Sequence, residues 1–304
     1  MKQVEGKTAF VTGGSSGIGL GIARAFLAAG MQVAVGYRRQ EQRHSALASL
    51  QQDGGARVFA VHMDVTDRNS VKLAAIEVDR KFGGLHVLCN SAGVNLLEPM
   101  DEATYDDWDW VLGVNLGGVV NSLMEFLPLI KKHGQGGHII NVASMASFIT
   151  GPGFGVYATS KFAVRGLTES LRYNLGRYKI GVSLLCPGLT KSKIYEAPLH
   201  RPQHLSRSGT RVDDAMMHRL AEAHALGMDA DEVGRKTLQG MLRNDFYIFS
   251  HPEFREEVRE ACDEILCSLP EERSDFERMK YERKRRKAKA DAMALFEDLR
   301  RERS

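Results

Sequence analysis

The chain has 304 residues, 43% of them hydrophobic, and 41 Lys and Arg stand against 38 Asp and Glu for a net charge of +3. That length can bury one large α/β core or two small ones, and one large core is expected. The near balance of charge excludes a broadly basic or acidic surface, no run of eighteen apolar residues reads as a membrane span, and "MKQVEGKTAF" lacks an export signal's charged-then-apolar pattern, so a cytoplasmic protein without membrane or nucleic-acid partners is expected.

From the N-terminus, short apolar runs rich in Val, Ile and Ala alternate with segments of helical length. The runs are TAFVT (8–12), QVAVG (32–36), RVFAVH (57–62), HVLCN (86–90), HIINVAS (138–144), GVSLLC (181–186) and FYIFS (246–250). Between them, 17–29, 41–53, 67–82, 104–131 and 154–178 are each long enough for a crossover helix. Strand and helix in strict succession imply parallel pairing, because parallel neighbours need long crossovers that cover the faces of the sheet. The expected fold is α/β: a doubly wound parallel sheet of about seven strands in a three-layer α/β/α arrangement, binding its ligand beyond the carboxyl ends of the strands.

The rhythm breaks at 190–230, between the sixth strand and the next helix. An insertion at a strand's carboxyl end lands over the ligand site, so this stretch is expected to be a substrate lid within one domain of residues 1–270. Residues 271–304 hold twelve Lys and Arg against nine Asp and Glu, a surplus equal to the net charge of the whole chain. Acidic residues flank the run RKRRKAK (283–289) and no aromatic residue interleaves it, so the segment reads as a charged helical or mobile tail. Cys89 and Cys186 end buried runs, Cys262 and Cys267 lie on a late helix, and no metal-binding spacing occurs, which predicts reduced structural thiols and no metal.

Two local patterns carry chemistry. VTGGSSGIG follows the first strand and opens a helix, with Gly13, Gly17 and Gly19 where the chain turns tightly and approaches a ligand without a Cβ in the way. The free N–H groups of that helix and its dipole suit an anion such as a dinucleotide pyrophosphate, with Ser15, Ser16 and Ile18 completing the cradle. Farther on, VYATSKFAV places Tyr157 and Lys161 four positions apart, hence on one helix face. Either they are a packed phenol beside a solvated amine, or they act as a pair.

The TGxxxGxG spacing together with YxxxK resembles the short-chain dehydrogenase/reductase family. Other family marks occur in order: NSAG (90–93), Asn115 in GVNLGG, Ser144 thirteen residues before Tyr157, and Pro187-Gly188 after the sixth strand. The resemblance covers residues 5 to about 250. It implies a Rossmann-type fold, a nicotinamide cofactor and a homodimer or homotetramer. It makes Tyr157 the general acid/base, Lys161 the group that tunes it and holds the nicotinamide ribose, Ser144 the holder of the substrate oxygen, and Asn115 the support of a proton-relay water. It also implies cofactor contacts from Asp64, Val65, Asn90, Ala92, Gly93, Pro187, Gly188, Thr190 and Ser192. A tyrosine with a reference pKa near 10 is a poor base at neutral pH, and a neighbouring ammonium is expected to favour its phenolate.

A finer resemblance, in TYDDWDWVLGVNLGGVVN, KIGVSLLCPGLTKSKIYEA, GTRVDD and NDFYIFSHPEFREEV, is to bacterial Cα-dehydrogenases that oxidise benzylic alcohols of β-aryl ethers. It implies a bulky, aromatic or polycyclic alcohol or ketone as substrate. At the end of the second strand, where a ribose-binding acid commonly sits in that subgroup, this chain has VAVGYRRQE. A carboxylate there would repel a 2′-phosphate, whereas a guanidinium pairs with it, so Tyr37 and Arg38 argue for NADP(H), with NAD(H) possible. A catalytically silent cofactor sensor is the alternative outside enzymes; the intact set of Asn115, Ser144, Tyr157 and Lys161 argues against it.

Overall fold

A computed structural model describes residues 3–209, 212–272 and 274–303, without the side chains of Asp53, Glu302 and Arg303. Thr210 and Arg211, within the expected lid, and Arg273 and Ser304, within the expected tail, lie outside the described residues. Seven strands form one sheet: β1 (Thr8–Thr12), β2 (Gln32–Tyr37), β3 (Val58–His62), β4 (Val87–Asn90), β5 (Gly137–Val142), β6 (Ile180–Cys186) and β7 (Tyr247–Phe249). Their order is β3-β2-β1-β4-β5-β6-β7, and every pairing is parallel. The five central strands from β2 to β6 are buried almost throughout, as a sheet covered on both faces requires.

The crossovers are helices α1 (Gly17–Ala28), α2 (Gln40–Gly54), α3 (Arg68–Phe82), α4 (Tyr105–Leu112) with α5 (Gly118–Lys132), α6 (Gly155–Leu175), and α7 (Asp214–Ala225) with α8 (Ala230–Arg243). Two cores result, one on each face. Phe10, Phe126, Trp110 and Leu88 belong to one, and Ile22, Phe26, Leu27 and Ile140 to the other. By length and composition the run Tyr105–Lys132 could cross a membrane, yet half of its most apolar stretch is buried within the fold.

Sheet order reverses direction at β1 and β4, which are neighbours although their crossovers leave on opposite sides, and a cleft opens beyond their carboxyl ends. Into that end project the turn after β1, the segments after β4 and β5, and the insertion after β6. The ends of this insertion are tied together: Lys191 N donates to Met228 O at 2.9 Å and Met228 N to Leu189 O at 2.9 Å.

After β7 the chain forms α9 (Arg255–Cys267) and α10 (Phe276–Arg303). The charged tail is therefore a helix of 28 residues whose last turns dock. Phe296 and Leu299 are buried, and Phe296 stands edge-on to Phe246. The charge count concealed this anchor because two apolar residues among so many ions leave the composition of the segment polar.

Candidate active site

The glycine-rich turn builds one end of the cleft. Gly13 has φ +62°, and a Cβ there would stand 2.8 Å from the Ala92 backbone; a Cβ on Gly19 would meet the Gly13 carbonyl oxygen at 2.4 Å. The turn can thus be this tight only without side chains. Ser16 occupies the N-cap of α1 but makes no side-chain cap hydrogen bond, so the first N–H groups of the helix are left facing the cleft. Glycines without room for a Cβ beside uncapped helix donors are what a dinucleotide pyrophosphate requires, and the residues present fit that group.

At the end of β2, Tyr37 is buried edge-on to His62, and Arg38 and Arg39 follow it at the cleft wall. Arg38 Nη2 donates to the carbonyl oxygen of His200 at 3.2 Å. After β3, Asp64 Oδ1 accepts hydrogen bonds from Thr66 N (2.9 Å) and Thr66 Oγ1 (2.7 Å), closing a turn that holds Val65 at the wall; Asn121 Nδ2 donates to Val65 O at 2.9 Å.

The opposite end is built by β5 and α6. Ser144 follows β5 in extended backbone and caps a short 3₁₀ turn, its hydroxyl accepting from Ala146 N at 3.1 Å. Tyr157 lies half-buried in the first turn of α6, and one turn later Lys161 is buried with its Nζ 5.5 Å from the centre of the tyrosine ring. Lys161 Nζ donates to Val142 O at 3.2 Å. Burial lowers the Lys161 pKa to about 8, with the Cys186 thiol opposing weakly. Burial also raises the Tyr157 phenol above its ordinary value, and the Ser144 hydroxyl pulls it back. The expected lowering of the phenol by the ammonium is not what the protein alone provides, since desolvation dominates at both groups.

Nineteen of the expected residues line one cavity of about 800 Å³: Gly13, Ser15, Ser16, Gly17, Ile18 and Gly19 of the turn; Tyr37, Arg38, Asp64 and Val65; Ala92 and Gly93; Ser144, Tyr157 and Lys161; and Pro187, Gly188, Thr190 and Ser192. Asn90 and Asn115 stand behind the wall. Asn90 Nδ2 donates to Asn141 Oδ1 at 2.8 Å inside the sheet, so its side chain braces β4 against β5 and makes no cavity surface. Asn115 sits in a five-residue π-helical segment, Gly113–Gly117, between α4 and α5. Its Oδ1 accepts from Val94 N (2.9 Å), and its Nδ2 donates to Val94 O (3.0 Å) and to Ser160 Oγ (2.9 Å). The carboxamide thereby ties the loop after β4 to α6.

Sequence reading missed Ser160, which is fully buried and donates to the Tyr157 carbonyl at 2.6 Å. A small polar residue in a helix interior was the available signal, because its hydroxyl must find a partner. The expected lid supplies Ile194 and Leu220 to the apolar wall of the cavity, while sequence reading missed Ile149, Phe154 and Leu189, and Phe254 and Glu257 from the C-terminal region. No spacing marks such residues in advance.

The 190–228 insertion covers this end and is pinned to the body. Arg201 is buried, forms an ion pair with the fully buried Asp107, and stacks 5.0 Å from the Trp110 ring. Arg207 pairs with Asp106 at 2.9 Å, and Thr104 Oγ1 donates to Arg207 O at 3.0 Å. Burial opposes ionisation of Asp107, yet hydrogen bonds from Arg201, Thr104 and Gly209 outweigh it and bring its pKa to about 2.

Residues 7–201 match the short chain dehydrogenase family. The chain is 36% identical over 278 residues to the C alpha-dehydrogenase of Sphingobium sp. strain NBRC 103272 / SYK-6, covering 91% of each chain. A short-chain dehydrogenase structure from Novosphingobium aromaticivorans aligns with a TM-score of 0.83 and 41% identity, over 97% of this chain and 100% of that one. A short chain dehydrogenase/reductase from Burkholderia phymatum in complex with NAD aligns with a TM-score of 0.82 and 31% identity, over 91% and 100%.

Proposed function

The chain belongs to the short-chain dehydrogenase family, and from that premise we propose that it interconverts a bulky secondary alcohol and its ketone, with NADP(H) the preferred cofactor. The observation that carries this reading is the convergence of Ser144, Tyr157 and Lys161 on the same cavity as the glycine-rich turn, with an apolar far wall beyond them. The turn Gly13–Gly19 and the first N–H groups of α1 would hold the pyrophosphate, Arg38 the adenosine 2′-phosphate, and Lys161 the nicotinamide ribose. When bound, the nicotinamide gives or takes the hydride.

The residues of the chain handle the oxygen. In reduction, Ser144 Oγ donates a hydrogen bond to the ketone oxygen, and the Tyr157 phenol delivers a proton to that oxygen as charge develops on it. In oxidation the same phenol oxygen, as phenolate, takes the alcohol proton. Burial holds the proton on Tyr157, and the Ser144 hydroxyl is the neighbour that opposes it. Asn115 acts through position, fixing α6 through Ser160 and the loop after β4 through Val94.

The lining favours a neutral, bulky substrate, since Ile149, Phe154, Leu189 and Ile194 offer apolar contact and Lys193 is paired with Glu196 at 3.5 Å. A second reading, an NAD-dependent benzylic alcohol dehydrogenase, draws support from the similarity to the C alpha-dehydrogenase and to the NAD-bound Burkholderia structure. Turnover measured on aryl ketones, steroid ketones and their alcohols, each with both nucleotides, separates the two. Faster turnover of small aliphatic ketones than of every aryl or polycyclic substrate would overturn the proposed substrate class.

A further inference from the structure

His251 follows β7 and takes no part in the chemistry derived above, yet its buried imidazole is bonded through both ring nitrogens to the turn after β6. Gly188 N donates to Nδ1 at 3.0 Å, and Nε2 lies 2.8 Å from Leu189 O. A main-chain N–H only donates and a carbonyl only accepts, so these two partners select the neutral ring with its proton on Nε2. Ser250 Oγ, 2.8 Å from Nδ1, then donates to the same lone pair. Gly188 and Leu189 both line the cavity, as does Phe254, whose ring stands edge-on to the imidazole at 6.4 Å.

The turn held in this way stands at the chemical end of the cavity. Met145 N, next to Ser144, donates to Pro187 O at 2.9 Å, and Cys186, just before the turn, lies close enough to Lys161 to act on its pKa. A Cβ on Gly188 would meet the Phe254 ring at 2.5 Å and the imidazole at 3.0 Å, so the turn rests directly on these two rings. The two bonds to His251 differ in what replaces them. Leu189 O also accepts from Met228 N at 2.9 Å, whereas among the described residues Gly188 N has no other acceptor. Loss of the imidazole therefore leaves the Gly188 N–H unpaired, and an unpaired donor is costly enough for the turn to shift.

We propose that His251 is a positioning residue for the nicotinamide half of the site, its imidazole fixing Gly188 and Leu189 so that their turn sets where the nicotinamide ring meets the substrate carbonyl. The assignment rests on the dinucleotide reading of the cavity, in which Lys161 holds the nicotinamide ribose and so brings the ring beside this turn. His251 is not itself part of the cavity lining, and it acts through the turn alone. Hydride transfer depends steeply on the separation and alignment of donor and acceptor, so a small shift of the turn is felt in turnover before it is felt in the fold.

Calorimetric titration of the unaltered protein with NADPH and NADH comes first, together with ADP-ribose and its 2′-phosphate, which lack only the nicotinamide. His251→Leu removes both hydrogen bonds at similar volume. It should weaken binding of the preferred dinucleotide about tenfold and lower kcat on an aryl ketone by about a hundredfold, while the matching nicotinamide-free nucleotide binds as before. His251→Asn sets a carboxamide oxygen near the Nδ1 position to accept from Gly188 N, so it should recover most of both losses. His251→Gln reaches toward Leu189 and should not. Unchanged kcat and dinucleotide binding in the leucine variant would overturn the assignment, as would rescue by glutamine and not by asparagine. Equal weakening of the dinucleotide and the nicotinamide-free nucleotide, or loss of soluble protein in all three variants, would also overturn it and make His251 a brace for the fold. An unaltered chain that binds neither dinucleotide would instead overturn the functional reading, and this assignment with it.

Discussion

The guanidinium of Arg38 donates a 3.2 Å hydrogen bond to the main-chain carbonyl of His200, joining the turn after β2 to the segment that roofs the cavity. Arginine has five N–H donors, so one bond to the roof leaves others for a phosphate at the same wall. Arg38 and Arg39 lie close enough to lower the pKa of the His200 imidazole, after burial, which places all three side chains in one electropositive corner.

Cofactor choice follows from that corner. Charge-assisted hydrogen bonds to a 2′-phosphate contribute roughly 1.5 to 3 kcal/mol, or about ten- to a hundredfold in affinity. NADPH should exceed NADH by at least tenfold in kcat/KM, and the double substitution Tyr37→Asp, Arg38→Ile should invert the order through repulsion of the phosphate. Equal use of both nucleotides by the unaltered protein would assign Arg38 to the roof alone.

Chemistry at the other end depends on one phenol. Tyr157→Phe should leave nucleotide binding, measured by fluorescence titration, near normal while turnover falls by ~10² to 10⁴, the usual cost of a lost general acid/base. Activity within tenfold of the unaltered protein would remove Tyr157 from that role.

Lys161 is buried with a pKa depressed to about 8 from 10.5, so the folded state disfavours its charge by about 3 kcal/mol below pH 8. The unfolded chain binds this proton more readily, and the stability attributable to Lys161 therefore rises as pH climbs from 8 to 10.5. Lys161→Met should unfold at higher urea than the unaltered protein at pH 7, by about 2 kcal/mol after loss of the bond to Val142 O, and this advantage should vanish by pH 10.5 while turnover is lost throughout. A variant less stable at pH 7 would mean that the Val142 contact outweighs the buried charge.

The pin under the roof has the opposite sign. Asp107 is held at a pKa of about 2 against 3.8, so its ion pair with Arg201 stabilises the fold fully above pH 4, and that contribution of about 2 kcal/mol is lost as pH falls through 2. Arg201→Leu strands a buried carboxylate and should destabilise the protein by about 3 kcal/mol at pH 7. The urea midpoints of the two proteins should converge below pH 4. An undiminished gap at pH 3 would show that stacking of Arg201 on Trp110, not charge, supplies the stability. The same contact makes the insertion part of the packed body, so its removal would do more than widen the cavity.

Much of this protein was legible in its sequence, because the features concerned are periodic or local. All seven apolar runs lie on strands, since burial on both sheet faces demands unbroken apolar residues, and the segments between them are the crossovers. The turn at Gly13–Gly19 declared itself through residues that only a tight approach requires, and Tyr157 and Lys161 through helical spacing. Tertiary structure alone decided what depends on side chains far apart in the chain. Asn115 proved a clamp because Val94 and Ser160 converge on it, Arg201 found Asp107 across 94 positions, and Phe296 found Phe246 from within a segment whose composition reads as solvated. A long-range pair leaves no period in either partner's surroundings, and its energy comes from burial that exists only once the sheet has brought both ends together.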